Sequence, residues 1–453
     1  MHMMKLAKTL GYILILLAIV IISCLSFIDR DGPVNITKHD QLMNNLYELS
    51  IKSEVDTLDP FEVGWAKANI TPDYVTSMAG YGKRSKYIEV HDSLYARTFV
   101  FQKGNLKAAM VSIDLLIFPP SIAGQVGAEI KNMGWEEDQL YFSATHTHSG
   151  IGGWLEGIIG YFSMGEYNEE TVAIIANGIV QSIHEAESDL QEARVGYKAI
   201  KAPEFVYNRL HTDGPVDDRL HVIKFIKRDG ECAILSSYNA HPTCINSHDL
   251  SISNDYPYYL IHNLEVDTTI DFSAFFAGAM GSHGPMGEER KDDKYKKPEM
   301  IGKGLARKIL DVNGGIPLTG NTSLLSSELS FPFDDMHIRV SDNIRTRKWV
   351  FNAVMGELDN EINVLKIGDV LFLSTPCELS GELTLRLNKE IPASQHLIIT
   401  SFNGTYMGYV TPDEYYDKFN KFEVRGMNWT GPKSGSYFTK ILGQVIDKVY
   451  VTH

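Results

Sequence analysis

Two histidines two positions apart, His146 and His148, stand in the stretch 143–154, SATHTHSGIGGW. If the residues before them form a strand, both imidazoles project from one face of it, and Gly150, Gly152 and Gly153 permit a tight loop behind them. Imidazole is the commonest metal ligand and the usual proton shuttle near neutral pH. A close pair at a strand end therefore suits a metal ion with a base beside it, although a structural or solvent-exposed pair would look the same. His241, followed by Pro242 and Thr243, also comes after an apolar run, where a turn residue is the plain reading. Glu378, in the stretch 374–382, STPCELSGE, sets a carboxylate at an expected helix start, where it complements the helix dipole. The aromatic, glycine-bearing stretch 404–412, GTYMGYVTP, reads by default as packing.

Strands and turns must position these groups. The pattern predicts a hairpin of 97–102 and 107–114 across Gly104-Asn105. A short strand over 141–145 leads into the histidine pair, and the apolar spacing of 169–190 predicts an amphipathic helix. Further strands are expected at 221–227, 232–238, 272–277, 364–374 and 396–402. Helices are expected at 256–264, 298–310, 345–357, 378–387 and 437–449. That alternation implies an α/β fold, one large mixed-sheet domain with flanking helices over residues 61–453. Residues 29–60 are polar and weakly periodic, and read as a tether.

Residues 10–28 carry no charge and follow Lys5 and Lys8. At about 20 residues per bilayer crossing, residues 1–28 read as a membrane or signal segment. Three forms stay open: a lipoprotein signal lipidated at Cys24, an uncleaved signal anchor, or a cleaved signal peptide. All three export the body and leave it, if anchored, on the periplasmic or extracellular face of a membrane. The 453 residues hold 42 Lys+Arg against 57 Asp+Glu, a formal net charge of −15. With no basic run to grip phosphates, nucleic acid is excluded as a partner. Four cysteines without CxxC spacing imply no disulfide framework.

In order and local sequence, the four stretches resemble the catalytic domain of the neutral/alkaline non-lysosomal ceramidases. That family carries an ATHTHSGPGG-like stretch, a later HPT, a Pro-x-Glu and a Gly-Tyr-Val-Thr motif. The resemblance extends to GWAKANITP at 64–72, AGYG at 79–82, LYARTFV at 94–100 and Asn208-Arg209. It runs from about Phe61 to the C-terminus, without the β-sandwich that family members commonly append.

The resemblance implies a Zn2+ ion held by His146, His241, Glu378 and Tyr409, with His148 beside it as general base and Arg209 contacting substrate. It also marks departures. Gly284 falls where the family has a catalytic serine, so either Ser282 or His283 takes over, or activated water works without a serine, or the substrate differs. Phe422, before Glu423, replaces a family tyrosine, and Asp255 falls in the place of a family Ser-Gly-Asp. The implied function is an exported zinc amidohydrolase acting on an N-acyl lipid such as ceramide. The alternatives are a zinc hydrolase of another amide or ester, and a non-catalytic zinc-containing binding protein.

Overall fold

The computed structural model describes residues 2–35, 37–55, 58–290, 292–333 and 335–452. Its larger sheet has eight strands, in the spatial order Phe272–Ala277, Cys232–Tyr238, Arg219–Lys227, Gln191–Lys201, Phe61–Asn69, Tyr95–Lys103, Leu106–Ile113 and Leu140–Ala144. The pair at each edge is parallel and the inner pairs are antiparallel. A second sheet orders Lys52–Glu54, Leu324–Ser330, Glu361–Ile367, Val370–Thr375 and His396–Ser401, again with a parallel last pair.

Period-two alternation explains how the sheets stack. Phe61, Val63, Phe99 and Phe101 point from the larger sheet into a core shared with Leu324, Leu365, Phe372 and Ile398 of the smaller one. Ala96 and Val100 point the other way, into a core with the helices Pro120–Lys131, Glu169–Ser188, Asp255–Glu265 and Lys296–Asn313. The outer face of the smaller sheet is covered by Gly381–Leu387 and Ser434–Thr452, through Leu383, Leu387, Phe438, Ile441 and Val445. The result is a mixed α/β fold of four layers, with helices outside and two sheets within.

Several elements differ from the sequence reading. One strand over 364–374 is instead a hairpin, because Gly368 takes a left-handed φ of 60° and Ile367 pairs with Val370. The helix expected over 345–357 starts at Lys348, since Ile344–Thr346 pairs as a strand with Leu25–Phe27. Glu378 does not open a helix: it lies in a two-residue strand, and the helix begins at Gly381. Within 29–60, the helix His39–Glu48 buries Leu42 and Leu46, and Lys52–Glu54 extends the smaller sheet.

The helix His2–Cys24 leaves Leu10, Ile13, Leu16 and Ile19 exposed. Among the described residues, no helix is long and apolar enough to cross a membrane.

Candidate metal centre

The functional side chains gather where the strands of both sheets end. His146 lies two residues beyond Leu140–Ala144 and His241 three beyond Cys232–Tyr238, in the larger sheet. Glu378 follows Val370–Thr375 of the smaller sheet. Tyr409 pairs directly with Glu378 in a parallel two-stranded bridge, so the carboxylate and the phenol are neighbours by register.

Three imidazole nitrogens converge. His146 Nε2 lies 2.9 Å from His241 Nε2 and 3.3 Å from His148 Nε2, and His148 Nε2 lies 2.9 Å from His241 Nε2. His146 Nδ1 donates to the Leu116 carbonyl, which turns the Nε2 lone pair toward its partners. Burial holds His148 and His241 well below the ordinary histidine value, with the neighbouring histidines and Arg209 adding to the effect, so both are neutral near pH 7. The Leu116 bond leaves the His146 Nε2 as an acceptor, and a cation among the three nitrogens would serve all of them. Nitrogens bound to one tetrahedral zinc at about 2.0–2.1 Å stand about 3.3 Å apart, close to the spacings here.

A second observation points the same way. Glu378 is 2% exposed, and its Oε2 has no hydrogen-bond partner. That oxygen lies 3.5 Å from His146 Nε2, 3.7 Å from His241 Nδ1 and 3.9 Å from Arg209. Burial works against its charge, but His146, Arg209 and the Tyr406 hydroxyl, 2.6 Å from Oε1, outweigh it and hold the carboxyl below its ordinary value. An ionised, buried oxygen without a partner beside three imidazoles fits a metal ion. The tightest group is His146, His148 and His241, whose ligand atoms lie within 4.8 Å of one another. His148, expected beside the ion, thus stands with the other two imidazoles, and Glu378 and Tyr409 lie around them.

The backbone is strained where these groups meet. Among the described residues, four non-glycine positions have a left-handed φ, and three of them are here: His146 at 65°, Asp255 at 55° and Phe402 at 71°. Such conformations persist only where the surroundings hold them. The His146 ring stacks on Phe402 at 4.1 Å. The Asp255 carboxylate accepts the backbone N–H groups of Cys244 and Ile245, fixing the loop that follows His241. Thr147 donates to the Ser253 carbonyl, and the Ser253 N–H donates to Ser149, so the 253–255 segment clasps both histidine loops.

Arg209 lies beside Glu378, where it donates to the Gly281 carbonyl and to the Tyr409 hydroxyl and pairs with Glu423 at 3.3 Å. Ser282 and His283 are fully buried and bond each other, Oγ to Nδ1 at 2.9 Å; neither side chain bonds one of the three imidazoles. His283 Nε2 accepts the Asp217 N–H at 3.0 Å, and burial holds this imidazole down at about 4. Neutral His283 therefore carries its proton on Nδ1 and donates it to Ser282. An imidazole in that tautomer cannot take a proton from the serine. At Gly284, a Cβ would lie 2.8 Å from the Tyr207 ring.

Gly281 sits against the strand that carries Glu378, and a Cβ there would lie 2.3 Å from the Glu378 carbonyl oxygen. Gly281→Ala is expected to cost about 1–3 kcal/mol and to weaken metal binding by displacing Glu378. Denaturant unfolding and metal content of the purified variant measure both, and a variant unchanged in both would contradict the close packing.

Residues 61–277 match the family model of the neutral/alkaline non-lysosomal ceramidase N-terminal domain. This stretch, 217 of the 453 residues, resembles that ceramidase family. The neutral ceramidase of Pseudomonas aeruginosa is 28% identical over 247 residues, 49% of this chain and 36% of that protein. Neutral ceramidase A of Dictyostelium discoideum is 27% identical over 234 residues, 46% of this chain and 32% of that one. The matched region thus spans about a third of these curated relatives. The solved Pseudomonas aeruginosa neutral ceramidase superposes with a TM-score of 0.75 over 86% of this chain and 74% of that one, at 20% identity, so the ceramidase fold extends beyond the matched sequence. A structure described as a ceramidase complexed with C2 gives 0.70 at 18% identity.

Sequence reading found the three histidines, Glu378, Tyr409 and Arg209. It missed Phe402 and the Leu116 carbonyl, which have no motif of their own, took Tyr406 in the 404–412 stretch for packing, and noted Glu423 without its tie to Arg209.

Proposed function

We propose that this chain is a zinc-dependent hydrolase of linear amides, acting on the N-acyl bond of a ceramide-like lipid. The observation that carries this reading is the convergence of three imidazoles beside the unpartnered Glu378 oxygen, in a chain of ceramidase descent. His146, His241 and Glu378, with Tyr409 adjoining, would hold the metal, since a nitrogen and oxygen donor set of this kind suits zinc. A zinc ion there supplies a Lewis acid that polarises a carbonyl and makes water acidic near pH 7.

The chain's own groups do the rest. His148 is the least buried of the three histidines; its carbonyl is held by Arg84, and its ring lies 4.9 Å from Tyr81. Neutral near pH 7, it can accept a proton at Nε2. Arg209, fixed by Glu423 and the Gly281 carbonyl, keeps a positive charge beside Glu378 and Tyr409, where it would orient a substrate oxygen.

The His283 tautomer supports the version in which activated water works without a serine. Ser282→Ala is expected to keep turnover within about tenfold of the parent, whereas loss of a true nucleophile costs on the order of 10⁶-fold; a fall of that size would restore Ser282 to the chemistry. The Tyr207 ring beside Gly284 favours a second reading, a zinc hydrolase with a different amide or ester substrate. Purified protein assayed on a panel of N-acyl lipids and model esters, with and without chelator, decides between them. Turnover of esters alone would reject the lipid amidase, and metal-loaded protein inert on the whole panel would leave a binding protein.

Export and membrane attachment belong to the same proposal. The exposed apolar residues of His2–Cys24 support it, as do Ile158, Tyr161 and Phe162 on the helix Gly157–Met164, which are 74%, 46% and 63% exposed. That helix follows the His148 loop, so an enzyme seated on lipid through both would meet its substrate at the same surface.

A further inference from the structure

Where the edge strand Leu140–Ala144 and the helix Pro120–Lys131 meet Leu324–Ser330 and Glu361–Ile367 of the smaller sheet lies a cavity of about 330 Å³ whose lining contains no Lys, Arg or His. Part of its wall comes from strand positions that ought to be apolar. Glu328 stands opposite Asn363 in the antiparallel register, and Glu361 lies two residues before Asn363. By alternation these three share a strand face with Leu324, Leu365 and Ile367, which fill the core between the sheets. Where that core stops, carboxyl and carboxamide groups take over. Glu137, Glu357 and Asp359 add three more carboxyls to the lining.

Glu328 and Glu361 hydrogen-bond each other, and the other charged neighbours acting on them, Glu137, Asp138 and Asp359, are all acidic. Two amide oxygens are also unanswered. Asn403 is 3% exposed and donates through Nδ2 to the carbonyls of Glu361, at 2.5 Å, and Ser374, leaving its Oδ1 without a partner. Asn363 is 3% exposed and donates through Nδ2 to Glu328 at 3.3 Å, leaving its Oδ1 likewise unpaired. Because both Nδ2 groups are committed, the free atom is the oxygen in each case. A buried acceptor without a donor is costly; here two of them line a cavity rich in carboxylates and without a basic group.

We propose that this cavity binds a calcium ion through the carboxylates of Glu328 and Glu361 and the Oδ1 atoms of Asn363 and Asn403. Oxygen donors alone, of mixed carboxylate and amide type, suit a hard divalent cation, and an irregular, roomy site suits calcium better than magnesium. The site has a structural consequence. Asn403 is next to Phe402, which stacks on His146, and Tyr406 in the same loop bonds Glu378. A cation on Asn403 would brace the loop that supports two residues of the candidate metal centre.

Calorimetric titration of calcium-depleted full-length protein with CaCl2 is expected to show one site, and thermal melting a rise of several degrees at saturation. Glu328→Gln with Glu361→Gln should abolish both responses while melting, in the absence of calcium, no lower than the parent, because the substitutions remove carboxyls from an acidic cluster. The His146→Ala variant should keep both responses, which separates this site from the histidine centre and from the fate of the hydrolase reading. Absence of heat and of a melting shift at millimolar CaCl2 would overturn the proposal, as would a response that survives the double substitution. An equal response to MgCl2 would overturn the choice of calcium.

Discussion

Replacing His146 with alanine is expected to strip the metal from the purified protein and abolish hydrolysis that chelator can suppress. His146 is the imidazole best fixed for ligation: its Nδ1 is tied to Leu116, its ring stacks on Phe402, and its strained backbone is held on both sides. Its Nε2 is also the nitrogen nearest the unpartnered Glu378 oxygen. Removing it leaves two imidazoles and a buried carboxylate that no longer enclose an ion, a loss larger than the 10–100-fold typical of supporting partners around a ligand. His148 gives the contrast. As a proton acceptor, its replacement by glutamine should cost about 10²–10⁴ in turnover while metal content stays at the parent level. Metal analysis beside steady-state rates separates the two roles. If the His148 variant lost its metal as fully as the His146 variant, His148 would be a ligand and the base would have to be sought elsewhere.

A second large effect concerns pH and stability. Asp92 and Asp114 lie beneath the 253–255 segment, where Ser253 and the Asn254 N–H bond Asp92, and the Asn254 side chain bonds Asp114. Burial pushes the Asp92 carboxyl up to about 8 and that of Asp114 up to about 7, more than their hydrogen bonds hold them down. The folded chain therefore binds these protons more tightly than the unfolded chain, where Asp titrates near 3.8. Stability from this source is complete below about pH 4 and is lost as pH rises through 7 to 8. Asp92→Asn, which cannot ionise, should remove most of that loss, on the order of a few kcal/mol between pH 5.5 and 8.5. Urea midpoints of parent and variant at the two pH values test this. Parallel changes in both proteins would show that Asp92 is not the group responsible.

The effect reaches the centre because the 253–255 segment also clasps the loops of His146 and His241. Weakening it at high pH should loosen the metal centre before the cores on either side melt. This link joins two parts of the chain that no motif connects.

How much of this was legible depends on whether local pattern or distant contact decided it. The hairpin over Gly104-Asn105 and the helix near 169–190 follow from turn chemistry and apolar spacing, and both form as read. The split of 364–374 was written in Gly368, whose left-handed turn the alternating pattern around it masked. The helix His39–Glu48 escaped notice because two buried leucines in ten residues make little periodicity, and its apolar partners lie far along the chain. The departure at Gly284 was visible in the sequence, but the reason Ser282 and His283 do not form a nucleophile and base was not. That reason is one backbone N–H, from Asp217, which fixes the imidazole tautomer.

By itself, the sequence determined the donors: three histidines, a glutamate and a tyrosine on short motifs, with strands to carry them, because side-chain chemistry and local backbone preference are encoded residue by residue. It also determined the acidic balance, 57 Asp+Glu against 42 Lys+Arg. Only the tertiary structure decided that two sheets end at one place, that Glu378 and Tyr409 meet across a two-residue bridge, and that the Nε2 of His148 stands within 3.3 Å of both other imidazole nitrogens. The physical reason is that strand register and sheet stacking are set by cores assembled from residues hundreds of positions apart. The ångström spacings that make ligands of histidines come from that packing and not from their order in the chain.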